Sequence, residues 1–268
     1  MKWAIHYRVC VVYMSLVFIG CASSQPKNDS GSASTSTALA EPLSNQKVRP
    51  VDLEESAKWL ETGRSLQANG DIEGALDAFE LSIQANHNQG FAYLEWAVVA
   101  QDAGVQDEFI IEHFEKAVRA LPKNPRAHYL YGFFLESIEQ TDGATERYEE
   151  AIALRPEYLD ARSRLAATFF RQHQWAKAVP HYQWVLTQDQ TDIPALIAMA
   201  EIAEKNENLE QAETYLRTIV QYHGQHPGHH LRLIRFFERH HAQEKADHAK
   251  RQLQIISPKQ GRKLRTLK

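Results

Sequence analysis

The chain has 268 residues, a formal net charge of −4 and only two cysteines. Its slightly acidic balance argues against nucleic acid as a main partner, because nucleic-acid-binding domains carry a basic surface. Cys10 lies inside an apolar run and leaves Cys21 alone, which excludes a disulfide framework and a cysteine-based metal site.

Residues 1–20 predict an export signal. Lys2 and Arg8 come before the apolar run Val9–Gly20, whose 12 residues are fewer than the roughly 20 that a membrane-spanning helix needs. Cys21 follows the run directly. The segment is therefore predicted to be a targeting signal and not part of the fold.

The sequence FIGC, residues 18–21, resembles the lipobox of bacterial lipoproteins, with Phe18 in the place where Leu is usual. The resemblance implies cleavage before Cys21, a diacylglycerol on its sulfur and an acylated amino terminus. Ala22 follows the cysteine, as in lipoproteins of the outer membrane. The alternative is an uncleaved anchor in which the cysteine is buried.

Residues 21–52 are predicted to be the lipidated cysteine and a disordered tether. Ala22–Pro50 has nine Ser or Thr among 29 residues and no aromatic residue. Such a segment cannot bury enough apolar surface to offset the entropy lost on ordering. As a flexible coil it spans about 30 Å, which would hold a periplasmic domain clear of the lipid headgroups.

From Leu53 onward, apolar residues recur at helical spacing and the sequence resembles itself with a period of 34 residues. In the clearest copy, residues 125–158, five residues mark the pattern: Gly132 at position 8, Ala144 at 20, Tyr148 at 24, Ala151 at 27 and Pro156 at 32. This pattern resembles the tetratricopeptide (TPR) repeat, a helix-turn-helix unit. Its small residues let helices approach closely, and one unit cannot bury its faces alone.

The register predicts six repeats within residues 53–260, namely 56–89, 90–124, 125–158, 159–192, 193–226 and 227–260. The second needs one residue inserted near Gln106. The last has Ile234 in place of a small residue and Lys250 in place of an aromatic one, as is typical of an end cap. The expected fold is all-α, a right-handed superhelical solenoid of six TPR repeats; an irregular helical bundle is the alternative.

The sequence has no Walker loop, G-x-S-x-G elbow, H-E-x-x-H or dinucleotide fingerprint. We therefore expect no enzyme activity and no cofactor. Six histidines lie between His223 and His241. His223, His226 and either His229 or His230 would be within reach of one metal, but the favoured interpretation is surface histidines at a repeat junction, with no metal.

In TPR units, positions 2, 5, 9 and 12 of the first helix face a groove. Arg64 occupies one of these positions. The predicted partner-binding residues at the others are Leu60, Phe91, Leu94, Val98, Tyr129, Phe133 and Phe170. An exposed apolar patch usually marks a partner site, here one for an amphipathic helix or an extended peptide. The alternative is that the tether or neighbouring helices cover these side chains.

Three sequences add a narrower resemblance: AVVAQDAG in the second repeat, YGFFLE in the third and LIRFFERHHAQEKADHAKRQLQIISP in the last. With the lipobox and the tether, the chain resembles the pilotins of type IV pilus systems, the PilF/PilW group. Tyr129 and Leu130 stand where that family commonly has two Asn residues.

The resemblance implies a non-enzymatic lipoprotein that binds secretin subunits, escorts them to the outer membrane and promotes their multimerisation. The implied contacts are a protein partner and a membrane reached through the lipid anchor. A periplasmic TPR adaptor for peptidoglycan enzymes or another envelope assembly would share every feature except the partner. Residues 261–268 form a basic tail, for which a solvated end is favoured over contact with acidic headgroups.

Overall fold

The computed structural model describes residues 51–257, which contain 12 α-helices and no β-strand. The all-α prediction is therefore confirmed for this part of the chain. The helices are α1 Leu53–Ala68, α2 Ile72–Ala85, α3 Gly90–Ala103, α4 Asp107–Ala120, α5 Pro125–Ser137, α6 Thr141–Leu154, α7 Leu159–Arg171, α8 Trp175–Gln188, α9 Ile193–Lys205, α10 Leu209–His223, α11 Pro227–Arg239 and α12 Gln243–Ile256. The predicted export signal, the lipidated Cys21, nearly all of the tether and the basic tail lie outside the described residues.

The chain divides into two compact units, of which residues 51–122 (unit 1) and 123–257 (unit 2) are described. Unit 1 holds the hairpins α1/α2 and α3/α4. Unit 2 holds the hairpins α5/α6, α7/α8, α9/α10 and α11/α12, and each helix in it packs on the next along the chain. In the last five hairpins, the first helix begins at the residue where a predicted repeat starts, namely 90, 125, 159, 193 and 227. The right-handed superhelix stays a prediction.

The turn inside each hairpin is closed by the same backbone hydrogen bond, in which an amide donates to the carbonyl oxygen of the residue five positions earlier. In α5/α6 the Gln140 amide donates to the Leu135 carbonyl oxygen at 2.9 Å, and in α3/α4 the Val105 amide donates to Ala100 at 3.1 Å. Gln106 then stands between this turn and α4 with extended backbone (φ −62°, ψ 139°). The residue inserted into the second repeat is therefore Gln106.

The residue before each of these donors has a positive φ, and these residues are Gly70, Gly104, Glu139, His173, Glu207 and His241. A left-handed residue is the usual way to end a helix and reverse the chain. Two of the six are glycine, which adopts this conformation without strain. The other four turns hold larger residues there at a small cost.

Small residues of the repeat pattern set the distance between the two helices of a hairpin. A Cβ placed on Gly63 at position 8 would lie 2.5 Å from the Phe79 ring, and one on Gly132 would lie 3.0 Å from the Tyr148 ring. The position-20 alanines are fully buried, namely Ala75, Ala144, Ala178, Ala212 and Ala246. The pattern read from the sequence is therefore a packing pattern.

Unit 1 encloses two polar contacts in its core. Ser56 Oγ donates to the Ser82 carbonyl oxygen at 2.9 Å, and Ser82 Oγ donates to the Ser56 carbonyl oxygen at 2.7 Å, which ties α1 to α2. His113 on α4 is 4% exposed, and its ring stacks on Trp96 with the centroids 3.8 Å apart. Its Nδ1 lies 2.8 Å from the Phe109 carbonyl oxygen. Burial lowers the pKa of His113 to about 4.

The last hairpin ends unit 2 as an end cap would. Ile234, in the place of a small residue, is buried in a cluster with neighbouring leucines and phenylalanines. On α12, Ala246, Ala249 and Leu253 are buried, whereas Ile255 is 82% exposed. One face of α12 therefore packs on α11 of the same hairpin, and the other faces solvent.

We predict that Gly63→Ala lowers the free energy of unfolding by about 1 to 2 kcal/mol, because the new methyl group overlaps the buried Phe79 ring. Helix propensity would act in the opposite direction by about 1 kcal/mol. Urea denaturation measures the difference. Ser65→Ala, an exposed change on the same helix, is the matched control and should stay within about 0.5 kcal/mol. A Gly63→Ala protein as stable as wild type would contradict the packing account.

We predict a pH dependence from His113. Its folded-state pKa is about 4 and its ordinary value is 6.5, so the unfolded chain takes up a proton first and stability is lost as the pH falls through this window. The loss amounts to about 3 kcal/mol. His113→Phe should remove that part of the pH dependence in urea denaturation at pH 7 and pH 4.5, whereas exposed His87→Phe should retain it. An equal loss of unfolding free energy between pH 7 and pH 4.5 in the two variants would contradict the prediction.

Candidate protein-binding site

The predicted partner-binding residues of unit 1 separate into buried and accessible ones. Leu94 is 0% exposed and Leu60 is 7% exposed, so their prediction as groove-facing residues is wrong. Leu60 lies on the same side of α1 as the buried Ser56 and Gly63, and α3 is buried over most of its surface. Both leucines therefore belong to the core.

Phe91 and Val98 are the accessible apolar residues among those predicted in unit 1. Phe91 is 36% exposed and Val98 is half-buried. Arg64 lies 2.7 Å from Glu61 and 3.5 Å from the largely buried Glu95. The first helices of unit 1 thus present two accessible apolar side chains, both on α3, and a paired arginine on α1.

The predicted aromatic residues of unit 2 are half-buried by the protein's own side chains. The Tyr129 ring lies 5.1 Å from the Tyr158 ring, centroid to centroid, and 6.5 Å from the Phe133 ring. The Arg164 guanidinium lies 4.6 Å from the centroid of Phe133. Phe170 meets the Tyr182 ring edge-on at 6.4 Å. The surface is therefore a partly covered aromatic one and not an open apolar groove.

A carboxylate that the sequence reading missed organises this surface. Glu136 accepts a hydrogen bond from the Tyr148 hydroxyl at 2.6 Å and one from Arg171 at 2.7 Å. Arg164 lies 3.8 Å from the same carboxylate. Burial, and then the hydrogen bond to Glu136, raise the pKa of the Tyr148 hydroxyl. Glu136 thus links the turn end of α5 to the next first helix, α7.

The same arrangement recurs 68 residues further along, which is two repeat lengths. Glu204 accepts two hydrogen bonds from Arg239, at 3.0 Å and 2.8 Å, and lies 2.8 Å from His240 Nε2. Glu136 and Glu204 both occupy position 12, and Arg171 and Arg239 both occupy position 13 of the following repeat. This repetition is the signal by which the pairs could have been found in the sequence.

A groove of about 190 Å³ lies between α9 and α11 in unit 2. Its lining residues are Ile197, Ala200, Glu201, Glu204, Leu216, Gly228, Arg232, Arg235 and Arg239. Its base is therefore apolar and its rim is charged. The first helices of the fifth and sixth repeats supply all but one of these residues.

The histidines from 223 to 230 serve as local structural contacts. His223 Nε2 lies 2.9 Å from the Thr191 carbonyl oxygen, His226 accepts the Gly228 amide at 3.2 Å, and His230 Nε2 lies 3.0 Å from the Gly224 carbonyl oxygen. His230 is 2% exposed, so the expectation of a surface residue is wrong for it. Across residues 51–257, no three His, Cys, Asp or Glu side chains are grouped so as to hold a metal ion.

Within residues 51–257, no helix is both long enough and apolar enough to span a bilayer.

Comparisons with known proteins agree on the repeat type. A family model of the tetratricopeptide repeat matches residues 169–235. Protein CTR9 homolog of Arabidopsis thaliana is 27% identical over 116 residues, which make up 43% of this chain and 10% of that protein. The chain thus spans about a tenth of that relative's length.

Solved structures give a broader match. PilF of Pseudomonas aeruginosa is 21% identical, with a TM-score of 0.60 over 80% of this chain and 98% of that one. PilW, described as a type IV pilus biogenesis factor, is 18% identical, with a TM-score of 0.57 over 77% and 95%. MamA is 22% identical, with a TM-score of 0.57 over 63% and 91%.

These likenesses define the fold of the chain. The fold is the all-α TPR repeat fold, which is a protein-interaction scaffold. The predicted resemblance to TPR proteins of the PilF and PilW kind is borne out at the level of the fold.

We predict that Glu136→Ala lowers the free energy of unfolding by about 1 to 3 kcal/mol, because it leaves the buried Tyr148 hydroxyl without its acceptor. In a Tyr148→Phe background the same change should cost about 1 kcal/mol less. Exposed Glu149→Ala is the matched control. If Glu136→Ala costs the same in both backgrounds, the two side chains are not coupled and the assigned role of Glu136 is wrong.

Proposed function

We propose that this protein is a non-enzymatic lipoprotein of the outer membrane, facing the periplasm, that acts as a pilotin in type IV pilus biogenesis. It would bind secretin subunits, escort them to the outer membrane and promote their multimerisation. The observation that carries the proposal is the combination of a lipobox-like sequence ending at Cys21 with a TPR stack in the same chain.

The anchor and the tether supply the location. Each buried CH₂ of an acyl chain adds about 0.8 kcal/mol, so a single chain holds a protein marginally and a multiply acylated Cys21 holds it firmly. The composition of the following 29 residues predicts a flexible coil, which would span about 30 Å. The TPR repeats are thereby held near the membrane and remain free to meet a partner in the periplasm.

The first helices supply recognition. Phe91 and Val98 in unit 1, and Tyr129, Phe133 and Phe170 in unit 2, each retain accessible surface. Tyr and Phe side chains are enriched in the cores of protein interfaces. Arg164 covers Phe133 but is itself 43% exposed, so a partner can reach the ring by displacing its guanidinium.

Similarity to known structures supports the assignment to type IV pilus biogenesis. PilW is a type IV pilus biogenesis factor, and this chain matches 95% of PilW and 98% of PilF with TM-scores of 0.57 and 0.60. At 18% and 21% identity these matches concern the fold. The pilus role therefore depends on them together with the lipobox and the three sequences that resemble the family.

The proposal predicts that deletion of the gene abolishes high-mass secretin multimers and surface pili. Cys21→Ser should shift the protein out of the outer-membrane fraction and prevent labelled palmitate from entering it. Normal secretin multimers in the deletion strain would contradict the pilotin role. Recovery of a peptidoglycan hydrolase instead of a secretin after crosslinking in cells would favour the adaptor function.

The recognition surface is tested by introducing negative charges on the first helices. Phe91→Glu with Phe133→Glu should abolish capture of the secretin in a pull-down, because it places carboxylates among the contact rings. The matched control is Leu81→Glu with Tyr222→Glu, which changes one exposed residue per unit on second helices, 38% and 56% exposed. Equal capture by both double variants would show that the partner binds elsewhere.

A further inference from the structure

We propose that the groove between α9 and α11 binds an acidic, extended segment of a partner polypeptide, with Arg235 as the main contact. The inference rests on the proposed protein-binding role and adds to it the chemistry of the bound segment. The charged residues around the groove are unequally paired.

Three arginines and two glutamates form the rim of the groove. Arg239 uses Nε and Nη2 on Glu204, and the five N–H groups of a guanidinium leave it further donors. Arg232 lies 3.7 Å from Glu201 and is 44% exposed. Arg235 is exposed and has no hydrogen-bond or ion-pair partner among residues 51–257. The rim therefore has guanidinium donors that its own carboxylates do not use.

A carboxylate is the ligand that these donors fit, because a guanidinium presents two parallel N–H groups to it. Arg235 stands at position 9 of the last repeat, the same position that Phe133 occupies in the third. The groove thus lies on the first-helix face, like the predicted partner-binding residues of unit 2. A bound segment can place an acidic side chain on Arg235 and an apolar one on the base formed by Ile197, Ala200 and Leu216.

Charge argues against an occupant from this chain. Residues 258–268 contain no acidic residue and five basic ones, Lys259, Arg262, Lys263, Arg265 and Lys268. Residues 1–50 contain Asp29 and Glu41 as their only acidic residues, among five Lys and Arg. Neither segment offers carboxylates that alternate with apolar side chains. The occupant is therefore expected from another protein.

The groove also disfavours nucleic acid. Glu201 and Glu204 stand on the α9 side of the rim, where a continuous phosphate backbone would meet them. A polypeptide can alternate carboxylates with apolar side chains and so satisfy the arginines while avoiding the glutamates. Alternating side-chain direction is a property of an extended chain, which is why we assign the bound segment that conformation.

The test uses the full mature lipoprotein in detergent and three fluorescein-labelled ten-residue peptides that alternate leucine with glutamate, glutamine or lysine. Fluorescence anisotropy should show binding of the Glu-Leu peptide about tenfold or more tighter than the Gln-Leu peptide, and no binding of the Lys-Leu peptide. Raising the salt from 50 to 200 mM should weaken Glu-Leu binding. Equal affinity for the Glu-Leu and Gln-Leu peptides would overturn the proposal.

Arg235→Glu should weaken Glu-Leu binding at least about tenfold, Arg235→Lys should weaken it less, and Arg251→Glu, an exposed change on α12, should leave it unchanged. The unfolding midpoints of the three variants should match that of wild type, because both side chains are exposed. If Arg235→Glu and Arg251→Glu have equal effects, or if a single-stranded oligonucleotide displaces the peptide at equal concentration, the assignment is wrong.

This result is separable from that of the pilotin proposal. If the peptide does not bind but secretin multimers are lost in the deletion strain, the groove proposal is wrong and the pilotin proposal stands. If the peptide binds specifically but secretin multimers are normal, the pilotin proposal is wrong and the groove proposal stands.

Discussion

The close contact between a small residue on the first helix and an aromatic ring on the second determines the geometry of the hairpins. Gly63 faces Phe79 and Gly132 faces Tyr148 so closely that an added methyl group would overlap the ring. Because the helices approach this closely, the buried alanines at position 20 fill the rest of the interface. The remaining positions of the first helix are then free to contact the neighbouring repeat or an outside partner.

The surface left on the first helices is mixed in character. Aromatic rings such as Phe133 lie beside carboxylates that bind arginines of the next repeat, and Arg164 covers part of the ring. A partner therefore meets rings and charges together. Such a surface favours a segment that carries both apolar and acidic side chains, since it can satisfy the rings and the arginines at once.

The repeat period, the small residues at positions 8 and 20 and the inserted Gln106 could all be predicted from the sequence, because each is a local regularity. The burial of Leu94 could not, since it depends on what packs against α3 on its other sides. Glu136 and Arg171 were missed for a related reason. Their pairing follows from the contact of two first helices, 35 residues apart, which a pattern built on apolar positions does not register.

In the proposed function, a lipid-anchored amino terminus is joined to a TPR scaffold whose first helices would bind a polypeptide. Site-specific photo-crosslinking in cells tests most directly which face the partner contacts. Benzoylphenylalanine at Phe91 or Phe133 should capture one defined protein, a secretin in the proposed function, whereas the same group at Tyr222 on α10 should not. Capture at Tyr222 with none at Phe91 or Phe133 would contradict the account.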